Sequence, residues 1–228
     1  MPEVESVVFL FDVDNTLLDN DTAQNAYREA IQQECGPEAA RRYWEISQAL
    51  AKELGYSDFL GALQRYRLEA MYEPRLLQVA AFLLDYPFEE RLFPGALDVL
   101  RQVSQWGTTA LLTDGDVVFQ PRKIKRAGLW DAVDGRVLIY IHKEAELAEV
   151  ARRLSAQHYV MVDDKLRLLT AIKKIWGERV TTVFPRQGHY AFDPQVLATY
   201  PPADISVDHI GDLLAYSLDK LLAAGRHT

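Results

Sequence analysis

Residues 7–11, Val-Val-Phe-Leu-Phe, form an unbroken run of β-branched and aromatic side chains. Alternation of apolar and polar residues marks a strand with one wet face. A continuous apolar run marks a strand buried on both faces, as in a parallel sheet covered by helices. Parallel neighbours need a crossover, commonly a helix. One such run therefore obliges the chain to supply others, spaced by helical segments. It does so from residue 96 onward. Helix-like 96–106 precedes strand-like 108–113, helix-like 118–127 precedes strand-like 137–141, and helix-like 143–154 precedes strand-like 159–162. Helix-like 166–176 then leads to strand-like 180–184, and a short strand at 203–207 is followed by a helix over 210–224. This alternation predicts an α/β fold with a Rossmann-like parallel sheet flanked by helices.

Between residues 20 and 90 the texture changes. Residues 22–35 set Ala23, Ala26, Tyr27, Ala30 and Ile31 on one helical face, and 38–54 do the same with Tyr43, Trp44, Leu50 and Leu54 before Gly55. Ser57-Asp58 offers an N-cap for a third helix through about Tyr72, and Pro74 opens a fourth. No strand pattern interrupts them. The expected organisation is a core of residues 1–19 and 91–228 with an inserted helical subdomain of residues 20–90.

The 228 residues, 49% of them hydrophobic, suffice for one core domain plus such an insert. With a net charge of −8 and no Lys/Arg block, neither nucleic acid nor a membrane surface is expected as a partner. The single cysteine, Cys35, excludes an intrachain disulfide and a Cys-rich zinc site, and fits a reducing compartment. Met1–Glu5 is acidic, with no basic segment before the short apolar run, so a cytoplasmic location is expected. The sequence leaves monomer and homodimer open.

Ligands of open α/β sheets bind beyond the carboxyl ends of the strands. Asp12 and Asp14 follow the first run; Thr113, Asp114, Gly115 and Asp116 the second; His142 and Lys143 the third; Asp163 and Asp164 the fourth. Carboxylates brought together repel unless they share a cation. Hard oxygen ligands alone select Mg²⁺, which keeps waters and takes phosphate oxygens from a substrate. Lys143 adds a further positive charge, and the Thr113 hydroxyl with the amides of Asp114 and Gly115 can donate to phosphate.

Phe11-Asp12-Val13-Asp14-Asn15-Thr16-Leu17 resembles the first motif, D-x-D-x-T, of the haloacid dehalogenase superfamily. Thr113 resembles its second motif, Lys143 its third, and Asp163-Asp164 its fourth. The insert resembles the family's cap placed between motifs one and two. The chain departs from the family at three places. Glu144 rather than proline follows Lys143, Asp114 replaces the commoner asparagine, and Leu168 and Leu169 stand where a later acidic residue is usual. Lys123 and Lys125 are rivals for the third-motif role.

The resemblance implies an enzyme that hydrolyses a small phosphorylated metabolite with Mg²⁺. It casts Asp12 as nucleophile, forming an aspartyl-phosphate, and Asp14 as acid and base, and it implies Asp12, Asp14, Asp163 and Asp164 as the metal ligands, with Asp14 offering its carbonyl, Asp164 binding directly and Asp163 binding directly or through water. Thr113 and Lys143 would hold the transferring group. Family dehalogenases lack the second aspartate, because a halide leaves without a proton; Asp14 therefore favours phosphate esters over carbon–halogen bonds. A phosphomutase shares every motif and is the first alternative, with a 2-haloacid dehalogenase and a non-catalytic phosphate-binding module behind it. Tyr27, Arg28, Tyr43 and Arg67 are expected as core or solvated residues before substrate contacts, as are His158, His209 and His227. His189, after a strand end, is a candidate for the rim of the site.

Overall fold

The computed structural model describes residues 5–226. His227 lies outside them. Six parallel strands form one sheet: β1 (Glu5–Phe11), β2 (Thr108–Asp114), β3 (Val137–Tyr140), β4 (Ala156–Val162), β5 (Val180–Pro185) and β6 (Ile205–Val207). Their spatial order is β3-β2-β1-β4-β5-β6. The order reverses at β1, which pairs with β2 on one side and β4 on the other; Phe11 sits opposite Leu111 and Val162. A crevice opens beyond the strand ends at such a reversal.

The continuous run in β1 is continuous because both faces are covered. Val7, Phe9 and Phe11 enter one apolar cluster and Val8 and Leu10 the other, all at most 3% exposed. The first cluster does not stop at the sheet. It continues through Leu17 and Leu18 into Tyr27, Tyr43 and Phe59 of the insert.

That insert consists of α1 (Asn20–Cys35), α2 (Pro37–Leu54), α3 (Phe59–Glu69) and α4 (Leu76–Asp85). Its ends follow ordinary capping chemistry. The Asp19 carboxylate accepts from the Thr22 amide, Asp58 accepts from the Gly61 amide, and Pro37 occupies the first turn of α2. Tyr27 and Tyr43 meet edge to face at 5.4 Å, and the Tyr43 hydroxyl donates to the Phe59 carbonyl. Both are packing residues, and Arg28 lies over Trp44. Helix boundaries in the insert differ from the sequence expectation, and α1 begins at Asn20 instead of residue 22. Helix α3 stops at Glu69 because Ala70 leaves helical geometry, and α4 starts at Leu76 after a turn that holds Pro74.

The rest of the core supplies α5 (Ala96–Val103), α6 (Phe119–Arg126), α7 (Leu129–Ala132), α8 (Leu147–Arg153), α9 (Leu166–Trp176), α10 (Pro194–Thr199) and α11 (Leu218–Ala224). The helix expected over 210–224 is split. A 3₁₀ segment, Ile210–Ala215, precedes α11, which Ser217 caps anew. Helix α10 was not expected, although Asp193 caps it and Pro194 opens it. No described helix is long and apolar enough to cross a membrane.

Helix α6 is the core element on which the insert rests. Phe119 packs against Phe59 and Phe88 at 6.1 and 5.9 Å between ring centres. Arg122 donates to the Leu84 carbonyl and pairs with Asp85, and Arg126 donates to the carbonyls of Asp85 and Tyr86. These guanidinium groups satisfy carbonyls at the C-terminal end of α4, where cations are favoured.

Candidate active site

The chain leaves β1 with one more sheet bond, from the Asp12 amide to the Val162 carbonyl at 2.9 Å. It then folds into a tight loop. The amides of Leu17 and Leu18 return to the Val13 carbonyl, and Asn15 takes a positive φ of 61°. Asparagine tolerates that conformation better than most residues. Its side-chain oxygen accepts from the amides of Asn20 and Asp21 at 3.0 and 3.2 Å, so the loop both presents Asp12 and starts α1. Thr16 turns its hydroxyl to the Asp164 amide at 3.0 Å, joining the ends of β1 and β4.

Lys143 closes the buried half of the site. It is fully buried, and its Nζ lies 2.6 Å from Asp12 Oδ1, 2.6 Å from Asp163 Oδ2 and 3.1 Å from the Leu112 carbonyl. Its amide donates to Asp114 Oδ1 at 2.8 Å. The expected helix over 143–154 therefore begins as a 3₁₀ turn, Lys143–Ala145, before α8, with the lysine drawn into the interior. This contact set excludes a solvated, helix-start lysine.

One ammonium shared by several buried carboxylates leaves a clear electrostatic signature. Burial pushes the Asp12 carboxyl up, but the Lys143 ammonium, with Lys165 behind it, reverses that and holds it below its usual value. Burial pushes Asp163 up to about 6, and Asp164 well above the usual carboxylate range, against the partial relief of nearby lysines. Asp114 is also raised by burial. Lys143 is itself raised, because Asp12, Asp163 and Asp114 together outweigh its own desolvation.

This cluster fits a hard cation. Asp12, Asp163 and Asp164 each offer an oxygen, with the three atoms within 4.8 Å of one another. Asp12 Oδ2 and both carboxylate oxygens of Asp164 are buried without a hydrogen-bond partner. Buried carboxylate oxygens are costly to leave unmatched, and an oxygen-seeking cation matches them. Of the pair at the end of β4, Asp163 is engaged by Lys143 and by the Lys165 amide at 2.8 Å, whereas Asp164 has only its unmatched oxygens.

The Asp14 side chain is held elsewhere. Its Oδ1 lies 2.5 Å from Lys123 Nζ, and its Oδ2 accepts from Gln120 Nε2 at 3.2 Å. Gln120 also donates to Thr113 Oγ1 at 3.1 Å. Gln120 and Lys123, three residues apart on α6, thus grip both oxygens of Asp14 and tie them to the end of β2. Lys123 stands out in the sequence only as a rival to Lys143, and nothing there points to Gln120. Gly115 allows the close approach of Gln120, whose Cβ and Cγ would lie 3.0 Å from any added Cβ. The Gly115 amide donates to the Tyr140 carbonyl at 3.0 Å, so here it serves the sheet and is not free for a phosphate.

Above this arrangement lies a cleft of about 630 Å³ between core and insert, lined by Asp14, Asp114 and Gly115 from the expected set and by Lys52, Tyr56 and His142 among others. His189 also lines it, with Nδ1 2.7 Å from Asp21 Oδ1 and its amide on Asp21 Oδ2. Arg67 lines a separate groove on the insert. His158 is half-buried against Thr181, and His209 caps the 3₁₀ segment that follows it.

The sequence profile of haloacid dehalogenase-like hydrolases matches residues 7–175. A haloacid dehalogenase-like hydrolase structure from Burkholderia xenovorans is similar at 59% identity, with a TM-score of 0.89, over 93% of this chain and 99% of that one. A haloacid dehalogenase-like hydrolase of Bacillus subtilis, bound to magnesium, is similar in fold at 18% identity and a TM-score of 0.59, covering 92% and 97% of the two chains. The L-2-haloacid dehalogenase of Xanthobacter autotrophicus with covalently bound chloropropionic acid is similar in fold at 17% identity and 0.59, covering 90% and 96%. A search of curated proteins returned no match.

Proposed function

This chain belongs to the haloacid dehalogenase-like hydrolase family, and we propose that it is a magnesium-dependent phosphatase acting on a small phosphorylated metabolite. The observation that carries the reading is the separation of two aspartates two residues apart. Asp12 is buried beside Lys143 with one oxygen unmatched, and Asp14 faces the cleft with its side chain 24% exposed. A hydrolase that expels a halide has no need of a second carboxyl group at the mouth. One that expels an alkoxide does, because the departing oxygen must be protonated.

In this reading Asp12 Oδ2 attacks phosphorus, the phosphorus–oxygen ester bond breaks, and the leaving oxygen takes a proton from Asp14. Asp14 then removes a proton from the water that attacks phosphorus, which releases phosphate and restores Asp12. Lys143 holds Asp12 in place and offsets charge on the phosphoryl oxygens. Asp12 and Asp164, with the Asp14 carbonyl, would hold Mg²⁺, and Asp163 would act through Lys143. When bound, that ion offsets carboxylate charge and polarises the phosphoryl group. The helices of residues 20–90 act as the cap that limits water and selects the leaving group.

The test is phosphate release from a panel of phosphomonoesters with and without Mg²⁺, alongside Asp12→Asn. Magnesium-dependent release that Asp12→Asn loses supports the reading; an Asp12→Asn enzyme with full activity refutes it.

A further inference from the structure

A lysine buried to 2% exposure needs a reason, since an ammonium without close partners is costly inside a protein. Among the described residues Lys123 Nζ has two hydrogen-bond partners, and they belong to different parts of the molecule. One is Asp14 Oδ1 at 2.5 Å; the other is the side-chain oxygen of Asn20 at 3.3 Å, the first residue of the insert. Asn20 is in turn tied to the active-site loop, because its amide donates to Asn15 Oδ1 at 3.0 Å.

The helix that carries Lys123 is also the one on which the insert docks. Successive positions of α6 alternate between the two tasks. Phe119, Arg122 and Arg126 contact the insert or its return segment, whereas Gln120 and Lys123 hold Asp14. A shift of the insert on α6 that opened the Lys123–Asn20 contact would leave Asp14 Oδ1 on a lysine with one partner fewer.

We propose that Lys123 is the positioning residue for Asp14, and that through Asn20 it makes the placement of this carboxyl group depend on the insert being docked on α6. The inference rests on the phosphatase reading above, in which Asp14 protonates the leaving oxygen. It predicts a loss that depends on the leaving group. Nitrophenolate departs without protonation, whereas a simple alkoxide does not, and kcat/KM reports only the steps through that departure.

The experiment measures kcat/KM for an alkyl phosphate and for p-nitrophenyl phosphate in the wild type, Lys123→Met, Lys123→Arg, Asn20→Ala and Asp14→Asn. Lys123→Met should lose about 100-fold on the alkyl phosphate, the scale of general-acid catalysis, and under about 3-fold on the nitrophenyl ester. Lys123→Arg should recover most of the alkyl activity. Asn20→Ala should show the same skew at a smaller size. Should Lys123→Met fail to fold, Asn20→Ala and Lys123→Arg carry the same comparison. Equal losses on both substrates in Lys123→Met would overturn the positioning role, and a wild-type ratio in Asn20→Ala would overturn the dependence on docking. An Asp14→Asn enzyme without the skew would overturn the acid role of Asp14 itself, and the proposal with it. A skew in Asp14→Asn but not in Lys123→Met would sink the proposal alone.

Discussion

Two lysines hold aspartates at the site, and they do so in opposite settings. Lys143 meets Asp12 at 2.6 Å inside the sheet end, reaches a second carboxylate, and is closed off from solvent. Lys123 meets Asp14 at 2.5 Å from a helix, and its carboxylate partner faces the cleft. In the proposed reaction the first pair offsets charge around the attacking carboxylate, and the second holds the carboxyl group that passes a proton to the leaving oxygen. The same two residue types therefore sit in different settings: Asp12 is sealed from solvent beside its ammonium, and Asp14 opens to the cleft with its side chain 24% exposed.

Lys143→Met should give the largest effect. It leaves Asp12 and Asp163 buried without their cation, a loss on the order of 3–5 kcal/mol for a broken buried pair. Denaturant unfolding should show that loss, and phosphatase activity should fall by roughly three orders of magnitude. Asp164→Asn should come next. With both of its oxygens unmatched, its removal should abolish the response to Mg²⁺ while raising the melting temperature of the metal-free protein. Isothermal titration with Mg²⁺ and a thermal scan separate the two outcomes.

A smaller effect concerns pH. Asp163, raised to about 6, and Asp164 and Asp114, also raised, bind protons more tightly folded than unfolded. Groups of that sign stabilise the fold less as pH rises from the ordinary carboxylate range, near 4, through their folded values. Asp12, lowered, works in the opposite sense. Within the site, three raised carboxylates against one lowered predict that the site's share of the metal-free protein's stability falls between about pH 4 and 7, and that Mg²⁺ offsets the fall at pH 7. Melting curves with and without Mg²⁺ across that range check the sign. His189→Ala should be the mildest, because His189 stands at the rim on Asp21. We expect a several-fold rise in KM and little change in kcat.

The same contrast explains what the sequence could reveal. Asp12, Asp163 and Asp164 stand directly after apolar runs, so their convergence follows from the strand pattern once the sheet is parallel. Lys143 could be named for the same reason, but its burial could not, since a lysine opening a helix ordinarily points to water. The grip on Asp14 was out of reach for a different reason. Lys123 and Gln120 lie 109 and 106 positions from it and join it only by tertiary contact. Lys123 stands out in the sequence only as a rival for the third-motif role, and Gln120 carries no signal at all. The insert's helices were readable from their periodicity and caps, but nothing in the sequence marks Arg122 and Arg126 as the residues that dock it. Helix α10 had its signal in Asp193-Pro194, and the apolar pattern after it was too weak to make that signal count.

The most direct measurement is to trap the reaction on the protein. Acid quenching during turnover of a ³²P-labelled phosphomonoester with Mg²⁺, followed by peptide mass spectrometry, should find an acid-stable, base-labile phosphoryl group on Asp12, absent from Asp12→Asn. Steady hydrolysis with no acyl phosphate, or with the label on any other residue, would contradict the account.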